Sequence, residues 1–327
     1  MGKKSDLARS YRDKYGIDIP TKKLAYILYE ENKNTFKNSE EARSTLRYIE
    51  GKSGITNRHW VKKSHVMHDN RPYNPYKLPE VEERNREPFQ IPTGVRKMLV
   101  LADIHIPYYH IPSVEKAIQK GLDEKVDCIL LLGDVLDNHN LSSYEKDPTR
   151  RSQEEELSIA KAFLVRLREL FDGIPIYWAK GNHDMRWEHY IRRTAKDLAT
   201  LKNFQLESVL ALHEQNIITI DDKTIIKAGK LTLHHGHYLF GKFGSENPCK
   251  ALIDKTGTDF MIGHLHRHLE MERVTISGRK RAYVLGCLSE VGLNVDYNPI
   301  VNQYRRGFAL VHLEKDGNFE VEMVRCD

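Results

Sequence analysis

The chain has 327 residues, of which 40% are hydrophobic and 30% are charged, and its formal net charge is +5. This length and apolar content are sufficient for one large α/β domain with a buried core and for a small accessory domain. No apolar segment follows the first four residues, and the longest apolar runs, 98–102 and 128–132, are too short to span a bilayer, so we expect no membrane insertion.

Residues 1–60 are predicted to form a small basic helical domain. They contain thirteen Lys and Arg residues against eight Asp and Glu residues, so this segment accounts for the whole net charge of the chain. Apolar residues recur at helical spacing in three stretches, and the predicted helices are 6–15, 21–33 and 39–50.

Residues 61–96 are predicted to be a proline-rich linker or strap. Five of the twelve prolines lie between residues 64 and 96 among charged residues, a composition typical of linkers.

The remaining domain, residues 97–327, begins with apolar runs that alternate with helical stretches. The predicted order is strand 97–102, helix 112–124, strand 127–132, helix 152–171, strand 174–179 and helix 184–200. This alternation indicates βαβ units and a largely parallel sheet.

After residue 216 the pattern consists mostly of strands. The predicted elements are strands 216–220, 223–228, 230–235, 258–263, 268–277, 280–287, 306–313 and 318–325, and a helix at 247–256. A second sheet packed on the first would accommodate these strands. The predicted fold class is therefore α/β, with two mixed β-sheets packed face to face and flanked by helices, next to a small N-terminal helical domain.

Polar residues follow five of the predicted strands. The motifs are Asp103-Ile-His105, Gly133-Asp134-Val-Leu-Asp137, Gly181-Asn-His-Asp184, His234-His-Gly-His237 and Gly263-His-Leu-His266. The string Gly-Asn-His-Asp alone is compatible with an ordinary turn or helix cap. Ligands of open α/β sheets gather outside the carboxyl ends of the strands, so the first three turns should converge in space. Because residues i and i+2 of an extended chain point the same way, the two Asp-x-His and His-x-His pairs can each chelate a metal.

The predicted donors are carboxylates, one amide oxygen and several imidazoles. The four cysteines are scattered without a Cys-x-x-Cys pair, which argues against a thiolate zinc site and is compatible with a reducing cytoplasm, although pairing among them stays open. The mixed nitrogen and oxygen set suits Mn²⁺, Fe or Zn²⁺, and two cations fit the donors better than one.

These five motifs, in this order, resemble those of the calcineurin-like metallophosphoesterases over roughly residues 97–325. The resemblance implies a sandwich of two sheets between helical layers and a dinuclear metal centre, with Mn²⁺ as the first expectation and Fe, Zn²⁺ or Ni²⁺ as alternatives. The implied ligands are Asp103, His105 and His266 for one metal, Asn182, His235 and His264 for the other, and Asp134 as the bridge. Among the histidines of the fourth motif, His235 is preferred because the ligand of the family immediately precedes the glycine.

The resemblance also implies a reaction. Two metals about 3.5–4 Å apart would clamp a phosphoryl group and lower the pKa of a bridging water, so that hydroxide attacks the phosphorus in line. His183 would protonate the leaving oxygen or position the phosphate, and Asp184 would orient its imidazole. Asp137 and His237 are expected beside ligand histidines. Arg186 is the best placed arginine of its helix to contact the phosphate, with an ordinary position on the helix surface as the alternative.

Two departures from related subfamilies bear on the substrate. Phosphoprotein phosphatases of the family continue the second motif with Asp-Arg-Gly, whereas Asp-Asn-His-Asn stands at residues 137–140, which disfavours that activity. The N-terminal helices look similar to helix-turn-helix-like segments attached to phosphoesterases of phages and prophages. Nucleic acid would then be a partner, and the residues expected to contact its phosphates are Arg43, Arg47, Lys52 and Arg58. A protein-docking or oligomerisation bundle is the alternative.

We therefore expect a cytoplasmic, dinuclear metal-dependent hydrolase that cleaves phosphodiester bonds of nucleic acid or nucleotides. The alternative activity is that of a phosphomonoesterase. The alternative from another class is a DNA-binding or scaffold protein with an inactive phosphoesterase fold, and the presence of His183 with the whole expected ligand set argues against it. The oligomeric state, and whether residues 64–96 cover the active site, stay open.

Overall fold

The computed structural model describes residues 3–16, 19–50, 87–143, 152–241, 245–276, 278–290 and 303–326. The chain forms two compact units, residues 1–84 and 85–327. All four cysteines are free. Within the described ranges, no helix is both long enough and apolar enough to cross a membrane.

The first unit is built on three helices, which are α1 (Lys3–Tyr15), α2 (Thr21–Glu31) and α3 (Ser39–Ile49). They lie where the helical spacing predicts them. Asn38 precedes α3, and its side chain accepts a hydrogen bond from the backbone N–H of Glu41. This cap satisfies a donor that the first turn of the helix leaves without an acceptor. The buried core of the unit contains Ala8, Leu24, Ala25, Leu28, Phe36, Ala42, Leu46 and Ile49.

In its described residues, the second unit contains two six-stranded sheets. Its strands are β1 (Phe89–Gln90), β2 (Lys97–Leu101), β3 (Cys128–Leu132), β4 (Ile176–Ala179), β5 (Ile217–Ile220), β6 (Ile226–Ala228), β7 (Leu231–His234), β8 (Phe260–Ile262), β9 (Leu269–Thr275), β10 (Gly278–Val284), β11 (Gly307–Leu313) and β12 (Phe319–Arg325). Its α-helices are α4 (Ile111–Asp123), α5 (Gln153–Leu170), α6 (Met185–Thr194), α7 (Leu206–Val209) and α8 (Pro248–Thr256). Short 3₁₀ turns occupy His139–Leu141, Lys196–Leu198 and Lys202–Phe204.

Strand pairing brings several carboxyl ends to the same sheet edge. In the first sheet, of order β12-β11-β2-β3-β4-β5, the strands β2 to β5 pair in parallel, and β11 and β12 are added antiparallel. In the second sheet, of order β1-β6-β7-β8-β10-β9, β7 and β8 are parallel neighbours. The ends of β2, β3 and β4 therefore share one edge, and so do the ends of β7 and β8.

The two sheets pack face to face between helices. Along β2, Met98 and Val100 belong to the core shared with Leu231 and Leu233 of the second sheet, because alternate residues of a strand face opposite sides. Leu99 and Leu101 belong instead to the core that contains residues of α4 and α5. Residues of α8 pack on β8 and β10 of the second sheet. This layer order confirms the predicted fold class.

Two segments differ from the sequence prediction. The helix expected at 184–200 ends at Thr194, and the rest of that range holds the 3₁₀ turn Lys196–Leu198. Met185 is its single buried residue in the described chain, so packing does not hold further turns, and the hydroxyl of Thr194 donates to the carbonyl of Tyr190. Within the segment predicted as a linker or strap, residues 89–90 form β1, which pairs in parallel with β6. Residues 61–86 of that segment lie outside the described residues.

Candidate metal centre

The expected ligands follow the carboxyl ends of five strands. Asp103 and His105 follow β2, Asp134 and Asp137 follow β3, residues 182–184 follow β4, His235 follows β7, and His264 and His266 follow β8. The structure brings them together in groups whose ligand atoms lie within 4.8 Å of one another. These groups are Asp103, His105 and His266; Asp134, His235 and His264; and His105, Asp137 and His183.

The first group surrounds a single point. Nε2 of His105 and Nε2 of His266 are 3.1 Å apart, and Nε2 of His266 is 3.2 Å from Oδ1 of Asp103. Asp103 is fully buried, and its carboxylate accepts a hydrogen bond of 2.9 Å from the N–H of His264. One cation with metal–nitrogen bonds of about 2.0–2.1 Å can bind two nitrogens that lie this close together.

The second group has the same character. Nε2 of His235 is 3.0 Å from Oδ2 of Asp134. Its Nδ1 lies 2.9 Å from the carbonyl oxygen of Leu132, which holds the ring in one orientation and directs Nε2 toward the centre. Asn182 stands between Gly181 and His183, both of which contact Asp134. Its Oδ1 is buried and has no hydrogen-bond partner among the described residues, which is unusual for a polar atom unless a cation is its partner.

Five of the expected ligands have a backbone conformation that side chains rarely adopt. The φ angles are 54° at Asp103, 51° at His105, 51° at Asp134, 67° at His264 and 53° at His266. Such left-handed conformations are uncommon for residues other than glycine and persist where the surroundings hold them. Here the N–H of Asp103 donates to Gly133 and that of His105 donates to Asp134, each at 3.0 Å. Hydrogen bonds from the residues that follow one strand to those that follow the neighbouring strand therefore stabilise these turns.

Two glycines of the motifs allow these turns to approach each other. A Cβ at Gly133 would lie 2.3 Å from Nδ1 of His235, and a Cβ at Gly181 would lie 2.2 Å from Oδ1 of Asp134. Gly133 also has a φ of 89°, which L residues seldom adopt. Any larger residue at either position would displace an expected ligand. Both glycines therefore belong to the site although they have no side chain that could bind a metal.

Asp137 holds the ring of His183. Nδ1 of His183 is 2.9 Å from the backbone carbonyl oxygen of Asp137 and 3.2 Å from its Oδ1. The same Oδ1 is 3.1 Å from Nδ1 of His105, so one carboxylate contacts two imidazoles of the site. Arg186 donates from Nη1 to the carbonyl of Asp137 at 2.8 Å, and its Nη2 is 3.2 Å from Nε2 of His183.

Asp184 does not orient His183, contrary to the prediction. Its carboxylate accepts hydrogen bonds from the N–H of Gly181, the N–H of Leu136 and the indole of Trp178, at 2.8, 3.0 and 3.1 Å. The turn before α6 directs consecutive side chains to different sides, so Asp184 points back to β4 while His183 points to Asp137. Asp184 therefore connects the chain segments that follow β3 and β4.

Sequence reasoning did not identify Asn138 and Glu156. The side chain of Asn138 donates to the carbonyl of His183 at 3.0 Å, and its backbone N–H donates to Oε1 of Glu156 at 2.5 Å. Both residues are buried. The sequence carries a signal for Glu156, because this acid lies on the buried face of α5, four residues before Ala160. Asn138 has no comparable signal, because its left-handed φ of 49° is visible only in the structure.

Burial and neighbouring charges shift pKa values throughout the site. Burial raises the pKa of Asp134, but the charges of His235 and His183 outweigh burial and hold that pKa well below its usual value. Burial lowers the pKa of His235, but Asp134 and Asp103 outweigh burial and raise it to about 10. Burial is the main cause that lowers the pKa of His264 to about 3. The buried carboxylates thus attract positive charge, and His264 is held in the neutral form that binds metals.

This donor set fits two divalent cations. Buried carboxylates such as Asp103 and Asp134 are unfavourable without a counter-charge, and a bound cation provides one. Imidazole nitrogens and the amide oxygen of Asn182 complete the set, and no cysteine belongs to the groups found among the described residues. Mixed nitrogen and oxygen ligands of this kind suit Mn²⁺, Fe or Zn²⁺.

His237 lies beside the ligand rings but contacts a different carboxylate. Its ring centroid is 5.4 Å from that of His235. Its Nε2 is 3.8 Å from Oδ2 of Asp222, and Asp222 also accepts a hydrogen bond of 2.6 Å from the hydroxyl of Tyr238. His237 therefore packs against the expected ligand His235 while its Nε2 faces Asp222.

The residues expected to bind nucleic acid belong to the first unit or lie outside the described residues. Arg43 pairs with Glu40 on α3 at 3.2 Å, and Arg47 is exposed on the same helix. Lys52 and Arg58 lie outside the described residues. Exposed arginines on a helix are common in proteins of many functions, so this arrangement leaves the prediction open.

Residues 96–286, more than half of the chain, match the family described as calcineurin-like phosphoesterase. No curated protein matches the chain. Among solved structures, a single mutant of Vps29 from Entamoeba histolytica is 16% identical, with 71% of this chain and 99% of that chain covered and a TM-score of 0.36. YfcE, a phosphoesterase from E. coli, is 15% identical, with 71% and 100% covered and a TM-score of 0.34. The nuclease MPE from Pseudomonas putida is 14% identical, with 69% and 87% covered and a TM-score of 0.30.

Proposed function

Because this chain belongs to the calcineurin-like phosphoesterase family, we propose that it hydrolyses phosphodiester bonds of nucleic acid or nucleotides with the help of two divalent cations. Membership of the family makes it a hydrolase that acts on phosphate esters. The choice of diesters, and of Mn²⁺ as the cation, belongs to the proposal. The observation that carries it is the convergence of two groups of ligands, buried except for the half-buried His264, at the ends of β2, β3, β7 and β8.

The proposed ligands are those that the motifs indicate. They are Asp103, His105 and His266 for one cation, Asn182, His235 and His264 for the other, and Asp134 between them. Cations bound there supply neutralisation of the phosphoryl oxygens and activation of water near neutral pH. Left-handed turns at Asp103, His105, Asp134, His264 and His266 would hold these ligands in place for the cations.

His183 is the proposed general acid. Its Nδ1 faces the carbonyl and carboxylate oxygens of Asp137, so Nε2 is the atom that can transfer a proton to the leaving oxygen. Burial lowers the pKa of His183, but the negative charges of Asp134 and Asp137 outweigh burial, and the net pKa is raised. In the structure Nε2 accepts from Nη2 of Arg186, so it carries the proton for the leaving oxygen only when the guanidinium bonds to the phosphate instead.

Arg186 is the proposed phosphate contact. Its guanidinium lies 3.2 Å from Nε2 of His183, the nitrogen proposed to face the leaving oxygen. Its bond to the carbonyl of Asp137 fixes its position. An anionic substrate at this place would therefore find a charged donor already oriented, which lowers the entropy lost on binding.

Support for diesters of nucleic acid comes from charge. Residues 1–60 carry the whole net charge of +5, a distribution suited to a polyanion. A phosphomonoesterase could use the same metal centre, and a DNA-binding protein with an inactive fold could use the same basic unit. Hydrolysis of simple esters separates these possibilities.

The first experiment measures hydrolysis of bis-p-nitrophenyl phosphate and p-nitrophenyl phosphate by metal-stripped protein to which Mn²⁺ is returned. We expect Mn²⁺-dependent turnover with the diester preferred, and its loss in Asp134→Asn. Asp123→Asn on the exposed surface of α4 is the matched control and should retain activity. A stronger rate with the monoester would replace the diesterase by a phosphatase, and no metal-dependent turnover of either ester would overturn the proposal.

A further inference from the structure

A cavity of about 370 Å³ is lined by Arg186, whose guanidinium contacts His183, and the described residues that line it include no acid. Its polar lining consists of Arg186, His189, Arg192, Arg193, Ser142 and Ser143. Positions 186, 189 and 193 lie three or four residues apart, so they occupy one face of α6. Three arginines, one histidine and two serines thus line the same cavity.

Among the described residues, Arg186 and Arg193 form no ion pair with a carboxylate, and Arg192 forms a long one. The guanidinium of Arg186 contacts a carbonyl oxygen and an imidazole nitrogen. Nε of Arg193 donates to the carbonyl of His189 at 3.2 Å, and its two terminal nitrogens have no partner among the described residues. Arg192 lies 3.8 Å from Glu188, a carboxylate that already pairs with Lys180. Three positively charged side chains with one long ion pair among them favour an anion in the cavity.

One side chain connects the cavity to the proposed reaction centre. Arg186 lines the cavity and also contacts Nε2 of His183, the atom proposed to protonate the leaving oxygen. An anionic group in the cavity would therefore lie on the leaving-group side of the scissile phosphate. Hydroxyl and guanidinium donors are the groups that proteins use to bind phosphate oxygens.

We propose that this cavity binds a second phosphate, adjacent to the scissile one, so that the preferred substrate carries at least two phosphates. The proposal rests on the proposed phosphodiesterase function and adds a specificity site to it. A nucleic-acid strand and a nucleotide polyphosphate share this chemistry. They differ in the spacing of their phosphates, which the experiment uses.

The experiment compares substrates that differ by one phosphate. A thymidine dinucleotide has a single internal phosphate, and the same dinucleotide with a terminal phosphate at either end has two. Dinucleoside polyphosphates form a second arm with directly linked phosphates. We expect kcat/KM to be about tenfold higher for one of the terminally phosphorylated dinucleotides than for the unmodified one, as for one additional charge-assisted contact.

The Arg192→Gln/Arg193→Gln double variant tests the origin of this preference. The ratio of the two kcat/KM values should fall from about tenfold to near one, whereas Arg166→Gln, at an exposed position on α5, should keep it. Calorimetric titration of the same dinucleotides into metal-free protein gives a readout without turnover, and it should show the same difference in affinity. A preference in the polyphosphate arm alone identifies directly linked phosphates as the source.

The outcomes separate the two proposals. Turnover of bis-p-nitrophenyl phosphate without any preference for two-phosphate substrates would overturn the second phosphate site and leave the phosphodiesterase intact. Equal ratios in the double variant and in Arg166→Gln would also overturn it, because the effect would then belong to the general surface charge. Absence of turnover of every ester would overturn the proposed function, and the calorimetric comparison would then decide on the site by itself.

Discussion

The helical unit and the metal centre both bury charged side chains, but in opposite ways. In the helical unit, Arg12 and Glu50 are 5% and 4% exposed and form an ion pair. Nη1 of Arg12 also donates to the carbonyls of Gly16 and Ile19, and the hydroxyl of Thr21 donates to Glu50 at 2.9 Å. One positive and one negative charge thus neutralise each other.

In the metal centre, buried carboxylates outnumber the cationic side chains around them. Asp103, Asp134, Asp137 and Asp184 are all buried, and Arg186 of α6 donates to the backbone carbonyl of Asp137 rather than to a carboxylate. The negative charges of Asp134 and Asp103 raise the pKa of His235 to about 10. Burial of charge alone does not indicate a functional site. An excess of one sign, with donors directed at the same point, does.

Asp134→Asn removes one of the buried negative charges of the metal centre, and we expect it to have the largest effect on turnover. An amide in place of the carboxylate removes the negative charge proposed to lie between the two cations, so turnover of bis-p-nitrophenyl phosphate should fall by at least about 10³-fold. Metal content measured by mass spectrometry should fall from two equivalents of Mn²⁺ toward one. Full activity with two bound equivalents would show that Asp134 is no ligand.

The loss of turnover in His183→Ala should depend on the leaving group of the substrate. Removal of a general acid typically lowers the rate by about 10²–10⁴-fold. We expect a loss in that range for a thymidine dinucleotide, whose alkoxide needs a proton, and a smaller loss for bis-p-nitrophenyl phosphate, whose phenolate leaves without one. Kinetics with both substrates on the same preparations provide the measurement. Equal losses would assign His183 to phosphate positioning instead.

Glu50→Gln tests the buried ion pair between Arg12 and Glu50 in the helical unit. It leaves the buried Arg12 without a counter-charge, which typically lowers the free energy of unfolding by about 3–5 kcal/mol. Hydrogen exchange of the amides of α1, α2 and α3 should accelerate accordingly, while turnover of bis-p-nitrophenyl phosphate should stay unchanged. Glu40→Gln removes an exposed pair and serves as the control, with an expected change below about 0.5 kcal/mol.

Glu156→Gln should change the pH dependence of stability. Burial is the main cause that raises the pKa of Glu156 to about 8, from a usual value of 4.5. The folded state therefore keeps a proton that the unfolded state loses, and the stability present below about pH 4.5 is lost as the pH rises toward 8. The free energy of unfolding should fall by up to about 1.4 kcal/mol per pH unit in this window.

Urea unfolding of metal-free protein at pH 5.5, 6.5 and 7.5, followed by tryptophan fluorescence, measures this dependence. Glutamine cannot ionise but keeps an oxygen that can accept from the N–H of Asn138, so the variant should lose this part of the pH slope. An unchanged slope would mean that Glu156 is ionised in the folded protein.

The positions of the expected ligands could be predicted because they depend on local pattern and one topological rule. Apolar runs predict strands, and polar residues directly after parallel strands must meet at a common edge. Asp103 and Asp134, 31 residues apart in the sequence, are therefore predictable neighbours. The same reasoning fails for the second contacts of these side chains, since Asp137 rather than Asp184 holds His183.

The sequence alone determined the α/β fold, the family and the edge at which the expected ligands meet. It could do so because hydrophobic periodicity and motif order are properties of the chain. Only the tertiary structure decided which carboxylate faces which imidazole, that Glu156 supports Asn138, and that three arginines share a cavity with Ser142 and Ser143. Such contacts join residues that are distant in sequence. Their geometry depends on left-handed turns and side-chain packing, which no periodicity encodes.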